Sequence, residues 1–152
     1  MSGYGYGIWL DANNFPKPMK HIPHITLVCN ILTESKGICL WRKLKEQFPQ
    51  PIKIRILPKA HIFESTYSEN DMYTKCWGYY CEVVDFPQSK LDFAVKSTMQ
   101  EYCISGSSSS RLHITMGYEN IDKLEDLQSV IELECQIVVA NILNTCENWY
   151  IL

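Results

Sequence analysis

His24-Ile25-Thr26-Leu27 and His113-Ile114-Thr115-Met116 write the same four residue classes twice, and each copy lies in an apolar run of strand-forming residues. Side chains on a strand alternate between faces, so His24 and Thr26 point one way while Pro23, Ile25 and Leu27 point the other; His113 and Thr115 follow the same rule. Ile25 and Ile114 then anchor the two strands in a core. The other face of each strand presents an imidazole beside a hydroxyl, a pair with little value as packing.

A helix start follows each copy at the same distance: Thr33 lies nine residues after His24, and Asp122 nine residues after His113. Thr33 is an N-cap type, and Asp122 with Glu125 forms a capping pair. Two further strand patterns follow in each half. The repetition implies an internal duplication, with two similar lobes, about residues 1–66 and 73–152, meeting along a groove. Approximate twofold symmetry between the lobes would bring the two imidazoles together.

Working outward, residues 3–10 alternate Tyr4, Tyr6, Ile8 and Leu10 against Gly5, Gly7 and Trp9 and read as a strand, and residues 22–31 read as a second. Ile38, Leu40, Trp41, Leu44 and Phe48 supply the apolar stripe of a helix that Pro49 ends. Strands are expected at 52–56, where Lys53 and Arg55 alternate with isoleucines, and at 60–64, with Pro58 dividing them. Residues 65–71 read as a polar loop. A strand at 77–84 and a helix at 88–102 with Leu91, Val95, Met99 and Tyr102 at helical spacing come next, then a solvated glycine-serine loop at 105–110. A strand at 112–118, a helix from 122 to about 133, and closing strands at 136–140 and 149–152 complete a single α+β domain.

With 152 residues, 46% of them apolar, the chain can bury a core of its own. Its seven cysteines show neither a C-x-x-C pair nor a zinc-ligand spacing, which points to reduced thiols inside a cell. Cys29, Cys39, Cys81 and Cys135 interrupt apolar runs and read as small core hydrophobes. No basic segment followed by an apolar stretch opens the chain, and no run approaches the roughly 18 apolar residues of a membrane span. A soluble, cytoplasmic monomer without a membrane partner is expected. A net charge of -3 disfavours a protein that coats long nucleic acid, which needs a broad basic face, and leaves room for a small anionic ligand.

Two converging imidazoles suit phosphodiester cleavage. A ribose 2′-hydroxyl attacks its neighbouring phosphorus when one group takes its proton and a second protonates the departing 5′-oxygen. With ordinary pKa near 6.5, each imidazole can be base or acid around neutral pH, and each such role is worth roughly a hundred to ten thousand fold in rate. Thr26 and Thr115 would donate hydrogen bonds to the non-bridging oxygens. No metal or cofactor is needed.

On its two His-x-Thr-hydrophobic motifs the chain resembles the two-histidine (2H, LigT-like) phosphoesterase superfamily. The resemblance implies a duplicated α+β fold, two antiparallel sheets around a central groove with helices outside, and a catalytic set of His24, Thr26, His113 and Thr115. Size and the Gly/Tyr-rich first strand are also similar to compact viral members, phage and avian poxvirus, that destroy immune messengers. That likeness implies cleavage of a 3′-5′ bond in small cyclic di- or trinucleotides. Cleavage of 2′-5′ oligoadenylate, hydrolysis of 2′,3′-cyclic phosphates, and nucleotide binding without turnover stay open as alternatives.

The same resemblance singles out first-strand and last-strand aromatics as groove residues: Tyr4, Tyr6, Trp149 and Tyr150, each with packing as its alternative role. Trp77, Tyr79 and Tyr118 follow them. Arg111 shares a face with His113 by alternation and is a phosphate-contact candidate. Lys20 and His21 belong to a small cationic cluster with two readings, phosphate contact and solvated loop. His61 lacks the threonine and reads as structural.

Overall fold

A computed structural model of the chain describes residues 5–64, 75–109, 111–117 and 124–152. The expectations for Tyr4, Asp122, Tyr118 and the loop at 65–71 lie outside these residues. Among the described residues the elements are β1 (Tyr6–Asp11), β2 (His24–Ile31), α1 (Glu34–Gln47), β3 (Ile52–Glu64), β4 (Lys75–Val83), α2 (Gln88–Glu101), β5 (Ser107–Ser108), β6 (His113–Gly117), β7 (Ile131–Cys135), β8 (Ile137–Asn141) and β9 (Tyr150–Ile151). The molecule is thus mixed α and β, with two helices and one antiparallel sheet in the order β7-β3-β4-β6-β2-β1-β8-β9, β5 pairing β2.

This corrects the expectation of two separate sheets, because β2 and β6 pair antiparallel at Ile25↔Ile114 and join the halves. Only Gln136 stands between β7, at one edge, and β8, deep in the other half. Such a short connection between distant sheet positions requires strong curling. Nor do the spatial halves coincide with residues 1–66 and 73–152. One half takes β3 from the first stretch with β4, β6 and β7 from the second, while β8 and β9 pack beside β1 and β2.

Thr33 caps α1 with its hydroxyl, which accepts from the Lys36 amide at 3.3 Å. Gly37, Leu40 and Leu44 turn inward, and α1 lies against β1, β2, β8 and α2. Gln47 Nε2 ties the helices by donating to Thr98 Oγ1 at 3.1 Å. Beneath the helices is the main core, including Ile8, Leu10, Ile25, Ile54, Tyr79, Leu91, Ile114, Leu133 and Val139. A second, smaller cluster of Trp9, Ala140, Ile142, Cys146 and Trp149 occupies the other face of β1 and β8.

Pro58 does not divide β3. β7 pairs only with Ile52 to Ile56, and the β4 register shifts between Ile56 and Ala60, so the proline falls at a bulge where no ladder donor is needed. Its carbonyl instead accepts from the Leu127 amide at 2.8 Å. The helix expected from 122 to about 133 is a second correction. Residues 124–130 are irregular and residues 131–135 form β7. Leu133 and Cys135 are buried while Glu132 and Glu134 are exposed, and the two glutamates pair in register with Arg55 and Lys53 of β3. A period of two with complementary charge outweighed the helical reading of residues 124–133. No helix among the described residues is long and apolar enough to cross a membrane.

Candidate active site

The β2–β6 seam sets the geometry. Opposite residues of an antiparallel pair share a face, so with Ile25 across from Ile114 the register carries His24 opposite Thr115 and Thr26 opposite His113. Both isoleucines are fully buried in the main core. All four polar side chains therefore belong to the reverse face, in a reciprocal arrangement where each histidine has the other motif's threonine for its neighbour.

Each imidazole is tied back by the carbonyl two residues earlier. His24 Nδ1 lies 2.7 Å from Ile22 O, and His113 Nδ1 lies 3.3 Å from Arg111 O. A carbonyl only accepts, so in both rings Nδ1 carries the hydrogen and Nε2 is left for a ligand. Each ring also has an aromatic partner. Trp9 stacks on His24 with centroids 3.7 Å apart and planes 14° from parallel, and Phe63 stacks on His113 at 4.3 Å and 30°. Tethered at one nitrogen and covered on one face, neither ring is free to turn.

The two rings differ in burial. His24 is 4% exposed, and its pKa is pushed down to about 3, chiefly by loss of hydration, with the neighbouring charge of His21 and more weakly of His113 adding to it; the bond to Ile22 opposes the shift. His113 is half-buried, and burial lowers its pKa against the smaller opposing effect of the Arg111 carbonyl. Both imidazoles are neutral at pH 7. Thr115 is buried, with Cys76 Sγ 3.9 Å from its hydroxyl, and Thr26 is half-buried.

His21 fits neither of its two readings. It is buried, and its Nε2–H donates to the Thr115 carbonyl at 2.9 Å, so the connection before the first motif is fastened to the backbone of the second. Its ring meets His24 edge-on at 5.5 Å and Trp149 at 6.0 Å. Burial lowers its pKa, partly offset by the bond to Thr115.

Of the other sequence candidates, Trp149 does come to the site, with its ring 5.8 Å from His24 and 6.0 Å from Trp9. It is 7% exposed and its indole N–H donates to Asn144 O at 2.8 Å, so it is a buried wall beside His24. Arg111 is exposed, its guanidinium 3.4 Å above the ring of Tyr80, which is the register partner of His113. Lys20 is exposed on the connection between β1 and β2, and Tyr150 is exposed on β9 with its hydroxyl accepting from Asn141 at 3.0 Å. Tyr6 is not brought to the histidines. It packs with the main core under α1, where a Cβ on Gly37 would lie 3.4 Å from its own Cβ, because it shares the phase of Ile8 and Leu10. Tyr79 is likewise a core residue, its hydroxyl donating to Glu125 O at 2.6 Å, and Trp77 packs on that core.

Sequence reading passed over Trp9, Phe63 and Tyr80. The phase of β1 contains the signal for Trp9, which alternates against Ile8 and Leu10. Phe63 reaches His113 from two strands away, across β4, where the Gly78 backbone presses on β6 so closely that a Cβ there would collide with Ile114 O. Among the described residues no three His, Cys, Asp or Glu side chains gather as a metal-ligand set. Neither a family model nor a curated protein matches the chain.

Proposed function

We propose that this chain is a metal-independent phosphodiesterase of the two-histidine (2H, LigT-like) type, a duplicated domain working in the cytoplasm on a 3′-5′ bond of small cyclic di- or trinucleotides. One observation carries the reading: the two His-Ile-Thr motifs pair with each other in register, and each imidazole is pinned through Nδ1 with Nε2 left on the common face. Packing has no use for that arrangement, whereas acid-base catalysis at a phosphorus between the rings requires it.

In the proposed reaction, His24 Nε2 takes the proton of the 2′-hydroxyl, or of a water, as its oxygen bonds to phosphorus. The bond from phosphorus to the 5′-oxygen breaks, and His113 Nε2–H delivers a proton to that oxygen. The deeper burial of His24 suits it to the base, which must start neutral. His113, less enclosed, is the ring that an arriving phosphate can charge, because an adjacent anion favours the imidazolium. Thr26 and Thr115 donate to the non-bridging oxygens as negative charge grows there.

The test is incubation with cyclic dinucleotides, cyclic trinucleotides, 2′-5′ oligoadenylate and 2′,3′-cyclic nucleotides in excess EDTA, followed by chromatography. The cyclic oligonucleotides should be linearised, and His24→Ala and His113→Ala should each lower kcat by roughly a hundred to ten thousand fold. Turnover confined to another member of the panel would reassign the substrate. Binding without turnover would leave a nucleotide-binding protein.

A further inference from the structure

Tyr80 stands on β4 as the register partner of His113, so the two rings share the face that carries both motifs. Its surroundings hold it firmly. His61 approaches from β3 with ring centroids 4.7 Å apart, and Phe63 meets it edge-on at 4.9 Å while stacking on His113. Over this fixed ring lies the Arg111 guanidinium, 3.4 Å from the centroid, which is the spacing of a stack.

Arg111 is exposed and, among the described residues, has no carboxylate within ion-pair distance. Arg55 shows the contrast, since it sits between Glu82 and Glu132 at 3.7 and 3.4 Å. At 3.4 Å the ring covers one side of the guanidinium, while Arg111 as a whole stays exposed, and the N–H groups of a guanidinium lie in its own plane. The result is two layers of a stack with room for a third flat, electron-rich layer, which is how arginine planes hold nucleobases.

The His24 side offers no such surface. There the register partner is Asp11, and both Trp9 and Trp149 are buried. From this asymmetry we infer that Tyr80 and Arg111 form a stacking subsite for one nucleobase, that of the nucleoside whose 5′-oxygen lies on the His113 side of the scissile phosphorus. The identity of the ligand as a nucleotide rests on the phosphodiesterase reading, while the stack itself is a matter of binding and is testable without catalysis.

Calorimetric titrations with adenosine 5′-monophosphate, ribose 5-phosphate and adenosine 3′-monophosphate decide it. The 5′-nucleotide mimics the nucleoside on the His113 side, ribose 5-phosphate lacks the base, and the 3′-nucleotide mimics the nucleoside on the His24 side. Wild type should bind the 5′-nucleotide roughly tenfold or more tighter than ribose 5-phosphate. Arg111→Lys, which keeps the charge and removes the plane, should erase that preference, as should Tyr80→Leu. Both should leave the 3′-nucleotide within about twofold of wild type. Equal affinity for the two 5′-phosphates, no 5′-nucleotide binding at all, or an Arg111→Lys variant that binds like wild type would each overturn the subsite, the last reducing Arg111 to a charge contact. A chain that cleaves nothing in the panel and still shows the base preference would lose the phosphodiesterase assignment and keep the stack.

Discussion

A histidine whose Nδ1–H is committed to a backbone carbonyl offers only Nε2 to a ligand, and His24 and His113 are both held in that way. The two motifs and the face they share were legible from strand alternation. Their tethers were not, because they depend on where the Ile22 and Arg111 carbonyls point. The lowered pKa of each ring shapes the pH response. The base must be neutral, a condition His24 meets above about 3, and the acid must be charged, a condition His113 meets in the free protein only below a value under 6.5. The pH profile of kcat/KM should therefore peak on the acid side of 6.5 and fall about tenfold per unit above its upper inflection. A profile rising steadily from pH 6 to 9 would remove His113 from the acid role. The same burial acts on stability. Above 6.5 His24 is neutral folded or unfolded, whereas between 6.5 and about 3 only the unfolded chain takes the proton, so stability is lost as pH falls through that window. The drop in Tm between pH 7.5 and 4.5 should be smaller in His24→Asn than in wild type, and an equal drop would show that this ring is not the one resisting protonation.

Elements whose period matched their burial read correctly, as with α1 and its Thr33 cap. The failures came where a distant strand made the decision. Ile131 to Cys135 became β7 because Lys53 and Arg55 stood ready to face Glu134 and Glu132, and β3 ran through Pro58 because β7 ends before it. Exposed pairs of this kind contribute little energy, about 0 to 1 kcal/mol each, so their role is to set register more than to add stability. Gly78 is the more sensitive position on β4. A methyl group there would collide with the Ile114 carbonyl, and a backbone atom in a central strand cannot move aside cheaply. Gly78→Ala should cost about 1 to 3 kcal/mol in urea unfolding. It should also lower kcat, since the displaced strand holds Thr115. Wild-type stability in that variant would mean that β4 and β6 are not in such close contact.

At the scale of the whole molecule, the sheet is two half-sheets whose β2–β6 seam is registered at Ile25↔Ile114, the middle residues of the two motifs. Repetition of the His-Ile-Thr motif suggested two lobes. It could not reveal that β8 and β9 cross to the N-terminal strands, because that depends on β8 finding β1 as its neighbour. Beside the Ile25↔Ile114 pair and the β2–β5 pairing, His21 bridges the two motifs at the site itself through its bond to Thr115 O. Leucine at this position would fill the volume and leave that carbonyl without its donor, at a cost of about 1 to 3 kcal/mol. If His21 only stabilised the fold, the properly folded fraction of His21→Leu would turn over at the wild-type rate. As a positioning residue it predicts otherwise: kcat falls roughly tenfold or more with KM nearly unchanged, because a small misplacement of the reacting groups weakens the transition state more than ground-state binding. His21→Gln, whose amide N–H can reach the same carbonyl, should recover most of the loss. A wild-type kcat in the folded leucine variant would confine His21 to stability alone.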